Sequence, residues 1–466
     1  MRVRVQVVIE PDDGGPASVH EVAELERGAL QIDTLGLQLA EAKELLRQVQ
    51  EVVIEEQVRS CLAQQVPCPH CGRPRRHKDV DSIVLRTLFG RLRVGSPRWW
   101  HCHCRPQPSR TFSPLAAALP ERTTPELRYL EAKFAGLASY GLSARLLAEV
   151  LPLGRPLHAT TVRRHLQATA QRLEDELGPE QVMFIEGCQR DWDELPRPDL
   201  PLTVGLDGGY VHACRQRSRR EGWFEVIAGK SVPTQGPARC FGFVQTYDPK
   251  PKRRLFETLK SQGMQANQQV TFLTDGGEDV RELPLYLNPQ AEHLIDWFHI
   301  TMRLTVMGQM AKGLGRGRGL GAGDRGGEGA GAAEVVSLAR QRLPRPPSGR
   351  GPGDRPGHRG SWSRAAEAAE SVGEFAGYIR ANATWIPNYG ERYRQGEAIS
   401  NAFVESTVNQ VVSKRMVKKQ QMRWTPRGAH LLLQVRTRVL NDDLIGAFQR
   451  WYPAFRHTSD GQELAA

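Results

Sequence analysis

Two short stretches of the chain share one pattern of apolar and polar positions. The segments 202–209 (LTVGLDGG) and 270–277 (VTFLTDGG) are apolar, β-branched runs that each end in an aspartate and two glycines. Such a run predicts a buried strand, and the glycine pair predicts the turn that ends it. Asp207 and Asp275 therefore stand at two predicted strand ends, where active sites of open sheets form. One copy alone is more typical of an ordinary Asx turn.

The pattern around these two strands predicts a single mixed sheet. Further strands are predicted at 223–229, 239–247 and 291–296, and helices at 253–262 and 297–310. The first three strands should form an antiparallel meander. Three strands, a helix, two strands and a helix is the order of an RNase H-like core. That fold places carboxylates at the ends of its first and fourth strands, where Asp207 and Asp275 fall.

The N-terminal part of the chain predicts a strand and several helices ahead of this core. Residues 1–10 alternate like a strand. Residues 35–65 have the apolar spacing of a helix, which either packs on the next module or dimerises. A helix at 143–151, a turn at Gly154 and a second helix with Thr160 as its N-cap resemble a helix-turn-helix.

Basic residues stand near the N-terminus of that second helix. Arg163 and Arg164 are therefore candidates for DNA contacts. Helix pairs of this kind also occur as plain packing units, and the pattern leaves both interpretations open.

Two cysteine pairs flank a predicted hairpin that turns at Gly90. Cys68 and Cys71 form a C-x-x-C knuckle, and Cys102 and Cys104 form a tighter C-x-C pair. A knuckle, a hairpin and a second pair predict a structural zinc ribbon. The alternative ligands are His70, His101 and His103. Turns that carry free thiols are the other interpretation.

Composition changes this picture by pointing to a polyanionic partner. The chain has 466 residues and a formal net charge of +11, which favours nucleic acid over a membrane surface. A basic soluble enzyme is the alternative. No apolar run is long enough to span a bilayer, and the N-terminus lacks a signal-peptide block, so we expect a cytoplasmic protein. Eight cysteines in such a protein favour metal ligands or buried thiols over disulfides.

A third carboxylate and a basic run lie near the C-terminus. Glu405 is the carboxylate on a helix predicted at 400–412. The predicted DNA contacts beyond it are Lys414, Arg415, Lys418, Lys419 and Arg423. Trp424 either stacks on an unpaired base near the cut or belongs to the core.

The three carboxylates together suit a hydrolytic metal site. Two Mg²⁺ or Mn²⁺ ions on Asp207, Asp275 and Glu405 would activate a water or a 3′-hydroxyl against a phosphodiester. Asp296 and His299 form an Asp-x-x-His pair on one helix face beside this site. Their alternative interpretation is a capped helix start with a packed histidine.

At these residues the chain resembles a known family, the ISKra-type insertion-sequence transposases of the DDE class. The resemblance is carried by LTVGLDGGYV, by VTFLTDGG with HLIDWFHITMRL, and by NYGERY with ISNAFVESTVNQVVSKRMVKKQQMRWTPRGAH. It implies Asp207, Asp275 and Glu405 as the catalytic triad, with Asp296 and His299 as an auxiliary motif. It further implies cleavage at terminal inverted repeats and strand transfer into target DNA, by a homodimer or higher oligomer on the nucleoid.

One segment departs from that family. The insertion between the second aspartate and the glutamate should be helical and rich in bulky residues, whereas residues 313–360 are rich in Gly, Arg and Pro. Such a composition predicts disorder. Our hypothesis is that two compensating indels placed this stretch out of frame. The alternatives to a working transposase are then an inactive remnant that only binds DNA, or an RNase H-like nuclease or resolvase.

The predicted class is thus α/β, with an RNase H-like core and an interrupted insertion behind a zinc-ribbon-like module and an all-α helix-turn-helix region. The predicted divisions are 1–65 for the strand and helix, 66–120 for the zinc ribbon, 121–190 for the helix-turn-helix region, 200–312 for the first part of the core, 313–398 for the insertion and 399–455 for the glutamate helix and basic end.

Overall fold

The protein is a mixed α/β chain in a computed structural model. The structure describes residues 1–11, 14–104, 110–181, 187–195, 202–214, 222–277, 287, 291–316, 359–400, 402–417 and 423–456. The chain divides into two compact units, Met1–Glu176 with Leu431–Ala466, and Leu177–His430. In the described part of the chain, no helix combines the length and the apolarity that crossing a membrane requires.

The strands and helices follow the chain in this order. The strands are β1 (Arg2–Ile9), β2 (Ser18–Glu26), β3 (His77–Thr87), β4 (Gly90–Trp100), β5 (Thr111–Phe112), β6 (Leu202–His212), β7 (Trp223–Pro233), β8 (Arg239–Val244), β9 (Val270–Thr274) and β10 (Glu292–Ile295). The helices are α1 (Leu39–Gln65), α2 (Pro114–Ala118), α3 (Pro125–Leu137), α4 (Tyr140–Val150), α5 (Ala159–Glu176), α6 (Gln189–Asp193), α7 (Pro251–Lys260), α8 (Trp297–Arg316), α9 (Arg359–Ala381), α10 (Tyr389–Arg394), α11 (Ala402–Val408), α12 (Pro426–Leu440) and α13 (Leu444–Trp451), with a π-helical segment at Asn409–Val417.

The first unit contains two antiparallel sheets and a group of helices. β1 pairs with β2, and β3, β4 and β5 form a second sheet. Gly90 has a φ of +149° and starts β4, which confirms the predicted hairpin. The apolar face of that hairpin, with Ile83 and Val94, packs on Ile54 of α1 and Leu115 of α2.

The predicted helix pair is present as α4 and α5. The predicted cap of the second helix is wrong by two residues, because α5 begins at Ala159 and the His158 carbonyl accepts from the Thr161 and Val162 N–H groups. Thr160 therefore lies inside the helix. The strand β2, which pairs with β1, was not predicted, although its apolar and polar residues alternate after a turn rich in glycine and proline.

The second unit is built on a mixed sheet with the strand order β10-β9-β6-β7-β8. β6, β7 and β8 are antiparallel neighbours, as the meander pattern predicts, while β9 and β10 run parallel to β6. One face of the sheet is covered by α7, whose Leu255 and Leu259 are fully buried. They pack with β-strand residues such as Val204 and Phe272 in one apolar cluster.

The two Asp-Gly-Gly segments differ in the structure. After Asp275, Gly276 adopts a φ of +82° and β9 has ended, which confirms the predicted turn. After Asp207, β6 continues through both glycines to His212. The prediction of a strand end at Asp207 is therefore wrong. The long partner strand β7 keeps this part of β6 hydrogen-bonded, so the glycines cannot turn the chain.

The segment 313–360, which is predicted to be disordered, falls mostly outside the described residues, which leave out 317–358. Its two ends are helical rather than irregular, because α8 runs on to Arg316 and α9 begins at Arg359.

Candidate catalytic site and metal centre

Strand register brings three aspartates to one level of the sheet. β6 and β9 pair in parallel as far as Gly205 with Leu273, and two further residues place Asp207 beside Asp275. β9 and β10 pair as far as Thr274 with Ile295, so the next row places Asp275 beside Asp296. Neighbouring strands lie about 4.8 Å apart, and residues in one row share a face. Three carboxylates from three adjacent strands therefore stand together.

Glycines on β6 let the helix with the third predicted ligand approach that face. A Cβ on Gly205 would lie 2.0 Å from Val404 Cγ2, and one on Gly209 would lie 3.1 Å from Val408 Cγ1. Residues two apart on a strand share a face, so Asp207, which lies between these glycines, faces α11. Glu405 follows the buried Val404 and is itself exposed at the edge of this contact.

The electrostatics of Asp207 reflect this crowding. Burial raises the pKa of Asp207 to about 6, although the hydrogen bond that its carboxylate accepts from the Gly208 N–H lowers it. The charges of Asp275, Asp296 and Glu405 raise that pKa further. Like charges in a half-buried place favour the protonated acid, and a bound cation would reverse the preference.

The three predicted metal ligands lie farther apart than ligands of a single small ion would. Asp207, Asp275 and Glu405 are not all within 4.8 Å of one another. Two divalent ions would need a wider set of ligands than one ion.

Asp296 caps the helix that follows it. Its Oδ1 accepts from the Phe298 N–H at 3.0 Å and its Oδ2 accepts from the His299 N–H at 3.1 Å. The carboxylate is buried, with 1% of the residue exposed. The capped helix start that the sequence left as an alternative is therefore present. Asp296 lies in the carboxylate row all the same, so the cap also fixes one acid of the site.

His299 lies beside the carboxylates as a neutral acceptor. Burial lowers its pKa, and the charge of Arg303 lowers it further. Its Nε2 accepts from the Arg303 Nε–H at 3.0 Å, which assigns the proton of the neutral ring to Nδ1.

Two tyrosines from the C-terminal part of the predicted insertion donate hydrogen bonds to carbonyl groups at the strand ends, and sequence reasoning missed both. The Tyr378 hydroxyl donates to the Asp275 carbonyl at 2.9 Å, and the Tyr389 hydroxyl donates to the Ile295 carbonyl at 2.9 Å. Burial raises the pKa of Tyr389, so this hydroxyl remains a donor. The tyrosine in NYGERY was the available signal, because a buried tyrosine usually needs a partner for its hydroxyl.

The predicted DNA contact at Arg415 is wrong, and Trp424 takes the second of its two predicted roles, in the core. Arg415 is fully buried and its guanidinium lies 5.5 Å from the Trp424 ring centroid. Trp424 is 5% exposed and donates from Nε1 to the Met416 carbonyl. Both belong to the core, because the π-helical segment and the bridge between Trp424 and Ala213 turn these side chains inward.

The other predicted DNA contacts divide into two groups. The exposed ones are Arg163, Arg164, Lys414 and Arg423. Lys418 and Lys419 lie outside the described residues.

Four cysteines of the first unit form a cluster that could bind zinc. The sulfurs of Cys68, Cys71, Cys102 and Cys104 all lie within 4.8 Å of one another. The Sγ–Sγ distance is 3.6 Å between Cys68 and Cys104 and 3.5 Å between Cys71 and Cys102. A tetrahedral zinc ion with bonds of about 2.3 Å places its sulfurs about 3.8 Å apart. The donor set needs none of the nearby histidines.

Hydrogen bonds between sulfurs link the thiols of this cluster. Main-chain N–H groups of His70 and then Cys71 lower the pKa of Cys68 to about 6. A hydrogen bond with Cys102 and then burial raise the pKa of Cys104 to about 12. A bound divalent metal would favour the thiolate at each of the four cysteines.

Comparison with known proteins does not identify a family for this chain. No family model matches it, and no curated protein matches it. A crystal structure of NurA aligns over 62% of this chain and 65% of that chain, with 12% identity and a TM-score of 0.10. A likeness of that size carries no argument about fold or function.

The residues of the two sites themselves indicate what chemistry each could support. The second unit gathers acidic oxygens on one face of a sheet, and these are the ligands that hard divalent cations prefer. The first unit gathers four thiols, which are the ligands of structural zinc.

Proposed function

We propose that this protein is a DNA transposase of the DDE class. It cleaves DNA at the inverted repeats of an insertion sequence and joins the 3′ ends to target DNA. The observation that carries the proposal is the convergence of Asp207, Asp275 and Glu405 from two parallel strands and a helix. The strand order β10-β9-β6-β7-β8 supports an RNase H-like core, since it combines an antiparallel meander with two parallel strands.

In this proposal Asp207, Asp275 and Glu405 would hold two Mg²⁺ or Mn²⁺ ions. The chemistry that such ions would supply is activation of a water or 3′-hydroxyl and stabilisation of the leaving oxygen of a phosphodiester. The protein fixes its acids through the main chain. The Gly208 N–H donates to Asp207 at 2.8 Å and the Gly277 N–H donates to Asp275 at 3.1 Å. Exposed Glu405 is the ligand with most freedom to adjust when ions and DNA bind.

The first unit would bind and place the DNA. Zn²⁺ held by the four cysteines would fix the two ends of the β3–β4 hairpin. Exposed Arg163 and Arg164 lie on the second helix of the helix-turn-helix-like pair, where they would meet phosphates or base edges. The net charge of +11 supports a nucleic acid as the partner.

A cleavage and joining assay tests this function. The full chain is incubated with supercoiled plasmid carrying the element that encodes it, with Mg²⁺ or Mn²⁺, and nicked, linear and joined products are separated. Asp207→Asn and Glu405→Gln should abolish all products, because each removes a charged ligand but keeps the shape. Exposed Glu397→Gln is a matched control and should retain activity.

The assay also separates the alternatives. Nicks without joined products would favour an RNase H-like nuclease or resolvase. DNA binding without products, equal in wild type and Asp207→Asn, would favour an inactive remnant. The reading-frame hypothesis for the insertion is tested on the gene itself. It fails if no other frame over codons 313–360 encodes a helical segment with bulky residues.

A further inference from the structure

Helix α8 carries a basic residue on the same face as the Asp-x-x-His pair. Asp296, His299 and Arg303 are separated by three and four residues, so they share one face of the helix. Asp296 caps the helix and lies in the carboxylate row. Arg303 therefore stands one helical turn beyond His299, on the face that starts at the carboxylates.

The guanidinium of Arg303 is held by two neutral groups. Its Nε–H donates to His299 Nε2 at 3.0 Å, and its central carbon lies 4.7 Å from the centroid of the Tyr378 ring. The Tyr378 hydroxyl in turn donates to the Asp275 carbonyl at 2.9 Å. A continuous chain of contacts thus links Arg303 to the end of β9.

This arrangement differs from that of an arginine that neutralises acids. The nearby carboxylates accept main-chain N–H groups, at Asp275 from Gly277 and at Asp296 from Phe298. Arg303 instead stacks on a ring and donates to an imidazole. Its Nε–H is used for positioning, while the two terminal NH₂ groups are those that form bidentate contacts with phosphate oxygens.

We propose that Arg303 binds a non-bridging oxygen of the phosphodiester on which the carboxylate site acts. His299 and Tyr378 are positioning residues that hold its guanidinium. The inference rests on the proposed function, because it takes DNA as the substrate of the site. A fixed cation at this place would offset negative charge that develops on the phosphate during displacement.

DNA binding by the full chain tests the proposal without requiring cleavage. The probe is a fluorescein-labelled terminal-repeat duplex, measured by anisotropy at several salt concentrations with Ca²⁺ in place of Mg²⁺. Arg303→Ala should weaken binding about tenfold or more and lower the salt slope by about one. Arg303→Lys should keep the slope but lose part of the affinity, since Lys lacks the bidentate fork.

A second arm localises the effect at the carboxylates. The phosphate enters the acidic site only when divalent ions offset its charge, so the loss in Arg303→Ala should vanish in EDTA. Exposed Arg394 is the matched control. Arg394→Ala should change binding equally with and without Ca²⁺, or not at all.

The role of His299 is tested by rescue. His299→Gln offers an acceptor oxygen near the place of Nε2 and should retain the Ca²⁺-dependent affinity, whereas His299→Leu should lose it. Wild-type affinity and slope in Arg303→Ala would overturn the inference even if the wild type cleaves and joins DNA. A Ca²⁺-dependent loss in a protein that forms no products would instead sustain the inference and defeat the proposed transposase.

Discussion

The half-buried carboxylate of Asp207 lies on β6 with acids from three other elements around it, so removing its charge should stabilise the metal-free protein. Asp207→Asn keeps the shape of the side chain, and its amide oxygen can still accept the Gly208 N–H. The pKa of Asp207 rises from 3.8 to about 6, chiefly through burial. The folded protein therefore retains this proton to a higher pH than the unfolded chain does.

The size of the effect follows from that shift. About two pKa units at about 1.36 kcal/mol each give just under ~3 kcal/mol. Solvent reaches part of the side chain and screens it, so we expect about half, or ~1.5 kcal/mol. For a unit of this size, that corresponds to a rise in melting temperature of about 3–6 °C.

The sign depends on pH in a defined window. Because the folded-state pKa is the higher one, wild-type stability falls as pH rises from about 4 through about 6 and stays low above. Asp207→Asn does not lose stability in this way, because it has no carboxylate at this position. In EDTA, wild type and Asp207→Asn should therefore have equal melting temperatures near pH 4, and Asp207→Asn should have the higher one at pH 8.

A matched substitution should show the opposite sign. The pKa of Asp191 is lowered, first by the N–H of Cys188, so Asp191→Asn should reduce stability at neutral pH. Differential scanning calorimetry of both variants checks the pair. Equal melting temperatures of Asp207→Asn and wild type at pH 8 would refute the electrostatic reasoning. In a separate measurement, adding Mn²⁺ should raise the melting temperature of the wild type more than that of Asp207→Asn.

Three further predictions concern zinc, a hydroxyl and a glycine. The wild type should bind one zinc ion per chain, and Cys71→Ser should lower this zinc content, as measured by mass spectrometry. The same substitution should reduce the melting temperature of the first unit. An unchanged zinc content would exclude the four-thiol site. Tyr378→Phe should cost about 1 kcal/mol and raise the Mn²⁺ concentration needed for half-maximal cleavage, while exposed Tyr393→Phe should do neither. Gly205→Ala should push Val404 and its helix from the sheet and cost about 1–3 kcal/mol by chemical denaturation. An unperturbed Gly205→Ala protein would show that α11 is not packed this closely.

The sequence alone determined the local features of this protein. Short apolar, β-branched runs predicted β6 to β10, because a strand that is buried in a sheet needs only a few consecutive apolar residues. Cysteine spacing predicted the four-thiol cluster, since a knuckle and a hairpin bring ligands together over short distances. The aspartates were recognisable because glycines follow them directly.

Tertiary structure decided what those residues face. Arg415 and Trp424 look like a basic, aromatic DNA surface in sequence, yet they are buried, because a π-helical segment shifts which residues point inward. Likewise, Asp207 stays within β6 because β7 continues beside it.

The tertiary structure also decided which residues make up the candidate site. Register across β6, β9 and β10 placed Asp296 in one row with Asp207 and Asp275. Tyr378 reaches Asp275 from 103 residues away along the chain. Local patterns encode contacts between residues a few positions apart. Contacts between distant segments depend on how complete elements pack, and that packing decided which groups surround the carboxylates.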